Sequence, residues 1–182
     1  MPSDARRELE ARLADVNELF KAHRALTGGG RGRPAQGQGA AITRAGIVLL
    51  AAAVEGFVED LFEETAHLLW PNRPETDLKE LFESTSRRFA NAKYRRTEIL
   101  LANLGLAWAL GEIRWRKFSN GAFREALDSL INTRNQIAHG IRPRQNLRSL
   151  VRWRRMVEQY ATKLEEVLAN HVQSVTDKRP PW

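Results

Sequence analysis

The chain is expected to fold as a single all-α domain, a bundle of about five to six helices. Three observations lead there. Apolar residues recur at helical spacing along most of the chain, and no segment alternates polar with apolar residues as a half-buried strand does. A length of 182 residues suits one domain and is enough to bury a core. The stretch after Ala41 is apolar on nearly all sides, which marks a central helix surrounded by others.

The first helix runs from Asp4 to about Leu26, with Leu9, Leu13, Val16 and Phe20 on one side. Residues 27–40 form a glycine-rich, low-complexity loop with too little apolar surface to offset the entropy of ordering it, so a flexible linker is expected. Its Gly-Gly-Gly-Arg-Gly-Arg start superficially suggests a phosphate cradle. No strand precedes it and no Lys-Ser or Lys-Thr pair closes it, so a P-loop is not supported. A second helix spans about Ala41 to Leu69 and stops before Pro71, which cannot continue it. Asp77 is placed as the cap of a third helix ending near Phe89. Thr97 to about Leu110 gives a fourth, carried by Ile99, Leu100, Leu101, Leu104 and Leu106. Trp108 and Trp115 read as core or loop anchors rather than ligand stackers. Asn120 is placed as the cap of a fifth helix, Gly121 to Ala138. Pro143 is expected to open the last helix, with Leu147, Leu150, Val151, Val157, Leu164, Val167, Leu168 and Val172 facing inward. The tail, residues 176–182, is expected to fray.

Composition excludes several chemistries. Cysteine is absent, so there is no disulfide framework, zinc-finger spacing or thiol nucleophile. The N-terminus mixes Asp4, Arg6, Arg7 and Glu8 without an apolar h-region, which argues against a signal peptide. The longest apolar-plus-glycine run, Ala45 to Val54, is about half of the ~20 residues needed to cross a bilayer. A cytoplasmic protein with no membrane partner is expected. The net charge of +7 is concentrated rather than spread. Between Ser129 and Val157 stand Arg134, Arg142, Arg144, Arg148, Arg152, Arg154 and Arg155, with no Asp or Glu. These seven account for the whole net charge, because the other 22 basic residues balance the 22 acids. Such a stretch is the electrostatic footprint expected for a phosphate backbone.

Within that stretch, Arg134-Asn135-Gln136-Ile137-Ala138-His139 places an arginine, an amide and a histidine just before Gly140, a helix-ending residue. Asn135 and His139 are four apart and share a helix face. Arg134, five residues before His139, points about 140° away at 3.6 residues per turn. One copy of the segment does not easily bring all three groups to one phosphate. Two copies facing each other across a two-fold axis can.

This motif resembles the Arg-polar-x-x-x-His signature of the HEPN superfamily, in particular its RiboL-PSP-HEPN-like members. The Ile-Ala-His-Gly ending is similar as well, and so is the apolar approach through Phe123, Leu127, Leu130 and Ile131. Upstream, the apolar helix with embedded acids from Ala51 to Phe62 resembles one found in many such proteins. The resemblance covers most of the chain from about Ile42 to His171, and only the short motif is sharp. It implies an HEPN-like bundle acting as a metal-independent endoribonuclease in a homodimer, with Arg134, Asn135 and His139 as catalytic residues, RNA as substrate and no cofactor. A toxin or defence effector is the biological role it suggests, with an antitoxin protein as a further partner.

RNA carries its own nucleophile, the 2′-OH, so cleavage by transesterification does not need a metal to activate water. It needs a base for the 2′ proton, an acid for the departing 5′ oxygen, and positive charge at the pentacoordinate phosphorus. Histidine, with an unperturbed pKa of ~6.5, takes either proton role near neutrality. Arg134 offers planar donors for the non-bridging oxygens, which lysine would not reproduce. Asn135 would orient either His139 or the phosphate, as the resemblance implies.

Arg144, Arg148, Arg152 and Arg155 fall on one stripe if the last helix begins at Pro143. With Arg142 they are candidate RNA contacts, set against the plainer reading of a solvated face. Arg31 and Arg33 are weaker candidates of the same kind. Glu55 is a candidate neighbour of the site, as a partner for Arg134 or a third proton-handling group; a core ion pair or an exposed edge competes with both. His23, His67 and His171 are isolated, and no metal site is expected. Against the nuclease stands a non-catalytic HEPN-like module that binds RNA, nucleotide or a protein partner, and behind it a structural bundle with a coincidental motif.

Overall fold

The computed structural model describes residues 1–28, 39–89, 91–116 and 118–182. Its six helices are α1 (Asp4–Thr27), α2 (Ala40–Leu69), α3 (Glu75–Phe89), α4 (Tyr94–Ala102), α5 (Asn120–Ala138) and α6 (Leu147–Thr176). Among the described residues there is no strand, only an isolated bridge between Trp115 and Phe118. The all-α expectation holds. The linker expected over 27–40, with Arg31 and Arg33, lies mostly outside the described residues.

Every other helix packs on α2. Its apolar circumference explains why: Ile47, Leu50, Ala51, Val54, Phe57, Val58, Leu61 and Phe62 are all buried. Burying one such large side chain stabilises the fold by roughly 1.5–3 kcal/mol before entropy is counted. α2 is also the one helix among the described residues long and apolar enough to cross a membrane, and half of its most apolar window is enclosed by the protein. At Gly56 a side chain would collide with the Arg12 guanidinium, which reaches over α2 to Asp60 at 3.1 Å. α1 starts at Ser3, whose Oγ accepts the Arg6 N–H at 2.9 Å and donates to Glu165 of α6 at 2.6 Å.

Element boundaries differ from expectation where a nearer cap wins. α3 begins two residues before Asp77, and the Pro74 carbonyl accepts the Asp77 and Leu78 N–H groups. α4 ends at Ala102 instead of Leu110, because the Asn103 amide donates to the Ile99 and Leu100 carbonyls and Gly105 turns left-handed at φ +80°. Leu104, Leu110 and Ile113 are nevertheless buried, so a turn-rich segment supplies the apolar pattern that suggested helix. Glu98 holds this segment by accepting the Leu110 N–H at 2.6 Å, and burial raises its carboxyl pKa. The Trp108 side chain does not anchor the core: the residue is 75 % exposed at φ +63°. Trp115 does, stacking on Phe118 at 4.6 Å and packing against the core.

Ser119, not Asn120, caps α5, accepting the Ala122 N–H at 3.2 Å. Asn120 instead ties α5 to the preceding segment by donating to the Leu110 and Ile113 carbonyls. α6 begins at Leu147, not Pro143, since Asn146 Oδ1 accepts the Ser149 N–H at 3.0 Å. Its inward face holds Leu150, Val157, Leu164, Leu168 and Val172 as expected, with Val151 only half-buried, and adds Trp153, Met156, Tyr160 and Ala161. Tyr160 sits wholly buried between Phe57 and Phe123, which pushes its hydroxyl pKa up. α6 continues through Thr176, and in the irregular residues after it Pro180 is buried and Trp182 packs against the core.

Candidate active site

The last two turns of α5 are held rigidly from inside. Leu130 and Ile131 are fully buried, and Thr133 bonds back to the Ser129 carbonyl at 2.8 Å. This places Arg134 at the seam between α5 and α2, where it keeps 26 % of its side-chain surface. Its Nη2 donates to Glu55 Oε2 at 2.5 Å, and Glu55 is 16 % exposed. Its Nη1 donates to Asn135 Oδ1 at 3.0 Å and to Asn91 Oδ1 at 3.4 Å. A guanidinium carries five N–H donors. Among the described residues none accepts from Nε, and Nη2 bonds only Glu55. The other Glu55 oxygen, Oε1, is buried without a hydrogen-bond partner among the described residues.

His139 caps the C-terminus of α5 at φ −87°, its backbone N–H donating to the Asn135 carbonyl at 3.0 Å. Gly140 then takes φ +78°, and the Gly140 and Ile141 N–H groups close onto the Ile137 and Gln136 carbonyls. This is the glycine-terminated helix end that the sequence pattern announced. The His139 side chain is exposed and makes no hydrogen bond to any described residue. Arg134 and His139 therefore occupy different settings in one chain, one locked at a helix seam and one free at a helix end. The Asn135 side chain serves Arg134, and only its carbonyl touches His139.

The five candidate phosphate contacts are all exposed, and none forms an ion pair among the described residues. The stripe expected of Arg144, Arg148, Arg152 and Arg155 loses its first member. Arg142 and Arg144 lie in the connection before α6, and only Arg148, Arg152 and Arg155 share its outer face. Arg154 is different, paired with Glu158 at 3.0 Å. Among the described residues no three His, Asp or Glu side chains form a group that could hold a metal ion. His67 packs edge-on against Phe82, and His171 Nε2 lies 2.9 Å from the Leu104 carbonyl.

Sequence reasoning named Arg134, Asn135, His139 and Glu55 but missed Asn91. No local signal marks it, because its proximity to Arg134 arises from packing across 43 residues of chain. A family model described as RiboL-PSP-HEPN matches residues 7–170. No curated protein and no solved structure matches the chain.

Proposed function

Because the chain belongs to the RiboL-PSP-HEPN family, we propose that it is a metal-independent endoribonuclease that cleaves RNA by 2′-OH transesterification. The observation that carries this reading is the division of labour between His139 and Arg134. An exposed imidazole with no competing partner is available for proton transfer, while a fixed guanidinium keeps two N–H donors for phosphate oxygens. In the reaction the 2′ oxygen loses its proton to a base and bonds to phosphorus. The bond from phosphorus to the 5′ oxygen breaks, and that oxygen takes a proton from an acid. The products are a 2′,3′-cyclic phosphate and a 5′-OH end.

A single His139 fills one of the two proton roles. The second role, and the separation of Arg134 from His139 within one chain, support a composite site on a two-fold homodimer in which the partner supplies the missing group. Arg142, Arg144, Arg148, Arg152 and Arg155 would hold the flanking backbone through charge. A cytoplasmic toxin or defence effector restrained by an antitoxin protein fits this chemistry.

One observation favours a second reading, a non-catalytic module binding RNA, nucleotide or a protein: Glu55 already neutralises Arg134. The test is purified protein with RNA in EDTA, comparing wild type with His139→Ala. Cleavage leaving cyclic-phosphate ends, lost by about 10²–10⁴-fold in the variant without a change in Tm, is the expected result. Binding without cleavage by either protein supports the module instead.

A further inference from the structure

We propose that Asn91 is a positioning residue of the active site, fixing the Arg134 guanidinium from a third element of the fold; this rests on the nuclease reading. Glu55 comes from α2 and Asn135 from α5 itself, whereas Asn91 belongs to the α3–α4 connection. Its Oδ1 and that of Asn135 both accept from Arg134 Nη1, at 3.4 and 3.0 Å. A guanidinium tethered at Nη2 alone can swing about that contact. Acceptors on Nη1 remove the freedom and leave the Nε–H and one Nη2–H for substrate.

The segment that presents Asn91 is itself anchored. Ala92, next in the chain, is fully buried. The Tyr94 N–H donates to Asp128 Oδ1 on α5 at 2.8 Å, six residues before Arg134 on the same helix. The Lys93 N–H closes onto the Asn91 carbonyl at 2.8 Å. The Asn91 amide is thus set against α5 before any substrate arrives. Its backbone adopts φ +93°, a conformation that glycine enters freely and asparagine only at a cost. Asparagine follows glycine in tolerating such a backbone, and here it also carries an amide whose oxygen meets Arg134.

That backbone makes the test clean. Asn91→Gly keeps the turn, and even relieves it, while removing the acceptor. Asn91→Asp keeps an acceptor oxygen at the same reach. On RNA in EDTA, Asn91→Gly should lose kcat by on the order of tenfold to a hundredfold with KM and Tm held or Tm raised, since a small misplacement of a positioning group has that effect. Asn91→Asp should recover most of the loss. Full kcat in Asn91→Gly beside an inactive His139→Ala would overturn the role of Asn91 and leave the nuclease reading intact. Equal activity in wild type and His139→Ala would overturn both. A lower Tm that accounts for the whole loss in Asn91→Gly, with no recovery in Asn91→Asp, would show a structural residue and overturn the positioning role alone.

Discussion

Arg134 of α5 and Glu55 of α2 meet at 2.5 Å, and each lends the other the only opposite charge in ion-pair contact with it among the described residues. Removing one leaves the other in a half-dry seam. Glu55→Ala should therefore lower unfolding free energy by about 1–3 kcal/mol in urea titrations, less than a fully buried pair because both groups keep some solvent. Arg134→Ala should cost a similar amount. Replacing both, Glu55→Gln with Arg134→Met, should restore much of the stability and none of the cleavage.

The basic surface makes a separate prediction. Reversing Arg148 and Arg152 to Glu should weaken RNA binding at every sequence tested and reduce the slope of log affinity against log salt by roughly two. Arg144→Glu should act independently of that pair, because Arg144 lies outside α6. Unchanged affinity and slope would mark α6 as a solvated face.

The composite site is checked by mixing inactive chains. Arg134→Ala and His139→Ala homodimers should each fail; co-refolded heterodimers should regain part of the wild-type cleavage if a site pairs Arg134 of one chain with His139 of the other, and none if each site uses both His139 side chains. Dilution of the wild type to monomer should silence it. A fully active monomer at assay concentration would sink the composite model.

Glu98 gives the pH prediction. Its carboxyl pKa is raised by burial, so the folded state binds its proton more tightly than the unfolded state does. The cost of its charge is absent below the ordinary carboxylate range and complete above the raised folded value. Wild type should thus gain stability relative to Glu98→Gln as pH falls from neutrality toward about 4.5, the ordinary value. Glu98→Ala should lose about 1–3 kcal/mol at pH 7, because the buried Leu110 N–H loses its acceptor. Parallel stability-against-pH profiles for wild type and the Glu98→Gln variant would refute this account.

Contiguous features were legible in the sequence. α2 was visible because its apolar residues run round the helix, and the end of α5 because Gly140 follows His139 directly. Pro143 misled because proline suits a first helical turn, yet Asn146 offers the stronger cap and the chain starts α6 there. Leu104 and Leu110 misled because buried turns and helices need the same apolar residues. The Arg134–Glu55 pairing stood among the alternatives, but Asn91 was invisible, since distant parts of the chain must pack before its amide reaches α5.

The dependence of five helices on α2 has a consequence for synthesis. α2 leaves the ribosome long before α6, whose Leu150 lies against Gly46 and whose Tyr160 meets Phe57. At roughly 5–20 residues per second the delay is on the order of ten seconds. Through that interval the side that α6 will cover stays open on the most apolar segment of the chain. Translation that stalls inside α5 releases a fragment with this sticky surface open, ready to aggregate or to be taken up by a chaperone.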